Sequence, residues 1–281
     1  MLVIRKVQLD SLEDTAIRAF EDRTYAHLMK YFPGHCEIVG EEQMRRVIQH
    51  GWMKAKSYEL TAECCVRSYI EFMCLLGSGF DADPLLPWAS EILSEKIAAD
   101  QVERSDRLYD RAWEYVQHVV PDYRDASGNP ITARFAEELR RLRRESDEPL
   151  AANELSGFHT QLVARLQQVF PAKCGYVGDD RVRSLAATAI ETANRYRITG
   201  ARGVTLVTVF MFVLGSSFDN DLLLPWASAT LSDNTLTDQK KKVDDQQKIL
   251  IQKNNAAVDE LQAVVARFNE QLKIFKARPK K

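Results

Sequence analysis

Glycine and proline are scarce in this 281-residue chain, at 12 and 9 residues. That is little punctuation for a protein of many short strands and turns, so a mostly helical chain is expected. Charge of one sign is also lacking: 38 Lys and Arg stand against 40 Asp and Glu, for a formal net charge of -2 and a pI near 6.3. A surface that binds nucleic acid neutralises phosphates with clustered basic residues, so no nucleic-acid partner is expected. No apolar run approaches the roughly 18 to 20 residues that cross a bilayer. The longest candidate, Val204 to Leu214, carries two threonines, and no membrane span is expected. The five cysteines (Cys36, Cys64, Cys65, Cys74, Cys174) are odd in number and lack CxxC spacing. They suggest neither a disulfide framework nor a zinc site, and read as reduced residues, most of them in the core. The first ten residues have no apolar stretch of the signal-peptide kind, so a cytoplasmic location is expected.

What is present is a foldable composition, 45% hydrophobic and 28% charged, and a length that suggests about two domains. Comparing the chain with itself shows of what kind. Residues 28–94 match residues 166–232 at a constant offset of 138 without gaps, with about 27 identities in 67 positions. Tyr31-Phe32-Pro33, Cys36, Val39-Gly40 and Arg45 recur as Val169-Phe170-Pro171, Cys174, Val177-Gly178 and Arg183. Tyr58 and Thr61 recur as Tyr196 and Thr199. The blocks 76–90 (LGSGFDADPLLPWAS) and 214–228 (LGSSFDNDLLLPWAS) are the signature of the repeat.

Each copy reads as several helices. Residues 9–31 place apolar side chains near the 3.6 period, and Pro33-Gly34 ends the run. Glu41 and Glu42, matched by Asp179 and Asp180, suit a helix first turn. Thr61 with Glu63 looks like another helix start. The runs to Leu76 and from Val204 to Leu214 are apolar almost all round and are expected as buried central helices. The β-branched stretch 204–210 would suit a strand taken alone, but its alignment with Cys65 to Met73, a segment of weaker strand preference, favours a helix. Residues 96–120 form a charged amphipathic pattern ending near Pro121, and residues 134–144 a short basic one. Residues 235–276 contain no Gly or Pro, as one long helix would require. The expected fold is all-α: two homologous helical bundle modules in tandem plus a long C-terminal helix. The boundaries are 1–125 for the first module, 126–145 for the connection, 146–233 for the second module and 234–281 for the terminal helix with its basic tail.

The candidate sites lie in the repeated block: Phe80, Asp81, Asp83, Pro87 and Trp88, with Phe218, Asp219, Asp221, Pro225 and Trp226. An Asp-x-Asp pair offers oxygen ligands to a hard cation or a carboxylate for acid–base work. The competing reading has the aspartates bonding nearby backbone N–H groups in a turn, with Pro87 at the first position of the next helix and the tryptophans locking the turn onto the preceding helix. The five histidines fall on no metal-ligand spacing, and none is matched by His at offset 138. No Gly-x-Ser-x-Gly elbow, phosphate loop or His-Glu-x-x-His occurs. No catalytic residue, metal or cofactor is assigned. A second candidate is the seam Ala257, Leu261, Val264, Phe268, Leu272 and Phe275, spaced by threes and fours as in helix–helix packing, which offers a route to a homo-oligomer.

The order Val3-Ile4-Arg5, Phe20-Glu21-Asp22-Arg23, His27-Leu28, Tyr31-Phe32-Pro33, Gly40-Glu41, Gly77 and Phe80-Asp81-x-Asp83-Pro84-x-x-Pro87-Trp88-Ala89 resembles a family of uncharacterised helical proteins. These are encoded beside type VI secretion spike and toxic-effector genes of Gram-negative bacteria. The resemblance covers the first 95 residues and carries no catalytic residue. It implies a non-enzymatic partner of a secreted toxic effector or spike-associated protein, either a chaperone or adaptor that loads the effector or an immunity protein that blocks it. A metal-dependent enzyme built on Asp81, Asp83, Asp219 and Asp221 is the alternative from another class.

Overall fold

A computed structural model describes residues 6–95, 100–119, 141–142, 149–151 and 154–232. The connection 126–145 apart from residues 141–142, the C-terminal segment 234–281 with its Leu261, Val264, Phe268, Leu272 and Phe275 seam, and its basic tail lie outside the described residues.

The chain is all-α. Among the described residues there are eleven α-helices and no strand; the only β-type pairing is one isolated bridge between Pro149 and Gly200. The first six helices are α1 (Lys6–Tyr31), α2 (Pro33–Val39), α3 (Glu41–Ser57), α4 (Glu63–Leu76), α5 (Pro87–Ser94) and α6 (Gln101–Val119). The rest are α7 (Leu155–Val169), α8 (Pro171–Val177), α9 (Asp179–Arg195), α10 (Ala201–Leu214) and α11 (Pro225–Ser232). A single 3₁₀ turn, Phe80–Ala82, precedes α5, and its counterpart Phe218–Asn220 precedes α11. From the Phe-Pro step onward the repeat is kept helix for helix. α2 and α8 have 7 residues each, α3 and α9 have 17, α4 and α10 have 14, and α5 and α11 have 8.

The boundaries follow from local chemistry. Pro33, Pro87, Pro171 and Pro225 each occupy a first helical position, where the missing N–H costs no intrahelical bond. α3 opens on Glu41 and Glu42 and closes with Lys54 and Lys56; α9 opens on Asp179 and Asp180 and closes with Arg195. Both arrangements complement the helix dipole. α4 does not start as a Thr61 cap. Its free N-terminal amides are satisfied from another helix, Gln101 Oε1 accepting from Thr61 N at 2.7 Å and from Ala62 N at 2.8 Å. α10 is a helix despite its β-branched residues, because it is buried on every face. Arg202 through Phe212 are all buried, so tertiary packing outweighs local preference.

The buried apolar side chains form two clusters, one for each copy. α3 against α4, and α9 against α10, are the central pairs. Leu142, outside the repeated block, belongs to the second cluster. Four of the five cysteines are buried and Cys64 is exposed; all five are free thiols. Two leucines trade places: Leu85 belongs to the second copy's cluster and Leu223 to the first copy's.

Candidate functional site

The LGS-x-FD-x-D blocks meet where the two copies touch. α4 and α10 each end at a glycine with positive φ, Gly77 at 100° and Gly215 at 110°. The chain then makes the 3₁₀ turn and presents two aspartates that face different ways.

The first aspartate of each pair turns into its own copy. Asp81 Oδ2 accepts from Tyr58 Oη at 2.9 Å and pairs with Lys54 Nζ at 3.0 Å, its side chain fully buried. Asp219 Oδ2 accepts from Tyr196 Oη at 2.9 Å and from Arg195 Nη1 at 3.5 Å. The tyrosine is kept at a spacing of 23 residues, while the cation comes from non-equivalent places on α3 and α9. Burial, reinforced by the Asp81 carboxylate, pushes the Tyr58 phenol from 10.0 to about 12, and burial with Asp219 raises that of Tyr196. Tyr69, wholly buried beside Asp81 and tilted at 52° against Phe80 with ring centres 5.0 Å apart, has its phenol raised by the same two causes.

The second aspartate reaches across. Asp83 Oδ1 accepts from Leu85 N at 2.8 Å, and Asp83 Oδ2 accepts from Ser216 N of the other copy at 2.9 Å. Asp221 does the same in reverse, Oδ1 taking Leu223 N at 2.8 Å and Oδ2 taking Ser78 N at 2.9 Å. Two further bonds cross the contact, Gln43 Nε2 to Leu222 O at 3.0 Å and Leu222 N to Ser78 Oγ at 3.3 Å. Asp83 and Asp221 are both 5% exposed, and burial raises the Asp221 carboxyl above 3.8 against the opposing effect of its hydrogen bonds. A contact in which each copy gives the other the same group is isologous, the form found in two-fold dimers.

This geometry decides between the readings of the motif in part. Local bonding to backbone N–H holds for Asp83 and Asp221, but their second bond, to the opposite copy, was not foreseen. Asp81 and Asp219 bond side chains instead. Within each Asp-x-Asp the two carboxylates turn to different partners and offer no common face to one cation. Among the described residues no group of three His, Cys, Asp or Glu side chains is placed to hold a metal ion. Pro87 and Pro225 sit at helix position N1. Trp226 packs edge-on to Phe210 of α10 at 5.7 Å; Trp88 is buried in the first cluster. Phe80 and Phe218 are buried beneath the turns, each against the preceding central helix at Phe72 and Phe210.

A small apolar cleft between α7 and α10, lined by Leu162, Arg165, Leu166 and Thr208 among others, has room for only about 10 Å³, enough for one water. The Tyr58 and Tyr196 partners escaped the sequence reading as site residues, although the shared Tyr-to-Asp spacing was there to be used. Among the described residues, no helix is long and apolar enough to cross a membrane. Comparison with protein-family models, curated proteins and solved structures gives no match.

Proposed function

We propose that the chain is a non-enzymatic, protein-binding accessory protein of a type VI secretion effector system, acting as an effector chaperone or adaptor. In this reading the protein is two homologous bundle modules in tandem, working in the cytoplasm, and its partner is a secreted toxic effector or a spike-associated protein. The system comes from the family resemblance. The observation that favours binding over chemistry is how the repeated polar residues are used: Asp81, Asp83, Asp219 and Asp221 accept hydrogen bonds from Tyr58 Oη, Ser216 N, Tyr196 Oη and Ser78 N. Of the carboxylates that both copies retain, Asp83 and Asp221 thus tie the two copies together, while Asp81 and Asp219 fix the turns within their own copies. Sites for a partner fall to the surfaces where the copies differ, among them the exposed Ile38, Met29 and Met53. Unbranched methionine side chains adapt to varied partners.

Affinity capture of the full-length protein from its host, with quantification of neighbouring effectors in wild-type and deletion strains, tests this. The chaperone reading expects an effector to co-purify at fixed stoichiometry and to fall in level or lose secretion when the gene is deleted. Normal effector level and secretion in the deletion strain would overturn it. Toxicity of the deletion only while the effector is active would assign the immunity role instead.

A further inference from the structure

Cys64 and Cys65 are neighbours in the first turn of α4, and their sulfurs lie 3.8 Å apart. Successive residues of an α-helix point about 100° away from one another, so adjacent side chains meet only where their rotamers turn them together. Helices on two sides hold this turn. Gln101 Oε1 of α6 accepts from Thr61 N and Ala62 N just ahead of it, Glu63 pairs with Arg23 of α1 at 2.8 Å, and the Cys65 sulfur is in hydrogen-bond contact with the Ser105 hydroxyl of α6. Cys65 is buried and Cys64 exposed, so the pair opens to solvent on one side. The second copy has buried Arg202 and Gly203 at these positions and builds the same 14-residue helix, so folding of the repeat does not call for thiols here. Cys36 and Cys174, by contrast, are equivalent and both buried, as core residues of a repeat are.

The two thiols are spaced for a shared ion rather than for each other. A disulfide needs sulfurs about 2.05 Å apart and Cα atoms about 4.4 Å apart or more, whereas adjacent Cα atoms across a trans peptide stand about 3.8 Å apart. Two thiolates on one tetrahedral ion of the zinc type, with bonds of about 2.3 Å, lie about 3.8 Å from each other. Thiolate sulfur selects soft metals over calcium or magnesium. Charge narrows the choice, since a divalent cation on two thiolates leaves no net charge at a half-buried position. The first turn of a helix favours anionic ligands as well. A metal ion that displaces the thiol protons also offsets the burial that pushes the Cys65 thiol up. Among the described residues no third His, Cys, Asp or Glu joins the pair, so water fills the remaining positions and the site is of the open kind.

We propose that Cys64 and Cys65 form a two-thiolate site for a soft divalent cation, Zn2+ or Cd2+, reached from solvent through Cys64 and built in the first copy alone. Titration of the full-length protein, reduced with a phosphine, with Cd2+ tests this through the ultraviolet thiolate-to-metal charge-transfer band. The wild-type band is expected to saturate at one equivalent. Cys64→Ser leaves the four buried cysteines in place and is expected to weaken the binding about a hundredfold, the gain that linking two ligands gives. Cys65→Ser is expected to do the same. Equal Cd2+ binding by wild type and Cys64→Ser, or no saturable band in the wild type, would overturn the proposal. Alkylation of the exposed Cys64 in the folded wild type, located by mass spectrometry, gives the same comparison if a variant does not fold.

Discussion

Gly79 and Ser217 hold the same place in the two copies and face each other across the joint: a Cβ built on Gly79 would stand 2.3 Å from Ser217 Oγ and 3.4 Å from Ser217 Cβ. Equivalent residues that meet one another lie beside the axis of a two-fold relation, where there is room for one side chain but not two. The departure of Gly-Ser-Gly from Gly-Ser-Ser relieves this close approach to the Ser217 hydroxyl where the copies pack together. Gly79→Ala is expected to cost about 1 to 3 kcal/mol through overpacking. Ser217→Gly in the same chain should restore most of that loss. Urea unfolding of the two single variants and the double variant measures the coupling, and additive effects would contradict it.

The crossing aspartates should respond as a matched pair. Asp83→Ala leaves the Leu85 and Ser216 amides without their acceptor, and Asp221→Ala does the same to Leu223 and Ser78. Each is expected to cost about 2 to 4 kcal/mol, because an unpaired buried donor loses its water as well as its partner. Asn at either place keeps one acceptor oxygen and should cost less. Thermal unfolding of the four variants checks both the similarity between sites and the order Ala worse than Asn.

Gly77 and Gly215 look interchangeable in the sequence but are not. Both have φ near +100°, a conformation that strains any L side chain. A Cβ on Gly77 would also stand 3.1 Å from Leu214 O and 3.3 Å from Asp221 Oδ2, whereas one on Gly215 would meet Asp83 Oδ2 at 3.5 Å and Leu76 O at 3.6 Å. Gly215→Ala is expected to cost about 1 to 3 kcal/mol from backbone strain, and Gly77→Ala clearly more. Equal melting temperatures for the two variants would refute the ranking.

How legible this was depends on the range of the interaction. The helices could be read from Pro at N1, the paired carboxylates at first turns and Gly77 and Gly215 at helix ends, because those rules act within a few residues. α10 could be read only through its aligned partner α4, since Val204, Val207 and Val209 on their own favour a strand. The Asp83–Ser216 and Asp221–Ser78 bonds, spanning 133 and 143 residues, left no local trace. What the sequence offered was the repetition itself, whose two Asp-x-Asp motifs were visible as carboxylates but not as hydrogen-bond acceptors for the opposite copy. Gln101 as the cap of α4 was hidden for the same reason, 39 residues from the amide that it holds.

Tyr58 should make the protein sensitive to alkali. Its phenol is raised from 10.0 to about 12 in the folded state, so its contribution is complete below pH 10 and is lost as pH climbs through about 12. Tyr58→Phe removes that dependence and, at neutral pH, costs about 1 kcal/mol for the lost bond to Asp81. Stability measured between pH 8 and about 11 in both proteins should show the wild type losing its advantage as pH rises. A constant difference between them across that range would disprove the assignment.

Asp221 should act with the opposite sense from most paired carboxylates. Burial raises its pKa above 3.8, so on acidification the folded protein takes up this proton before the unfolded chain does. In the interval between 3.8 and the raised value, the folded form binds more protons at this site, and the site's contribution to stability grows as pH falls. Asp221→Asn carries no such proton. The stability of wild type relative to Asp221→Asn should therefore increase from neutral pH down to about 4, even while other carboxylates lower the stability of both. Paired urea titrations at several pH values measure this difference directly. A wild-type advantage that shrinks on acidification would show that the hydrogen bonds from Ser78 and Leu223 outweigh burial at this carboxylate.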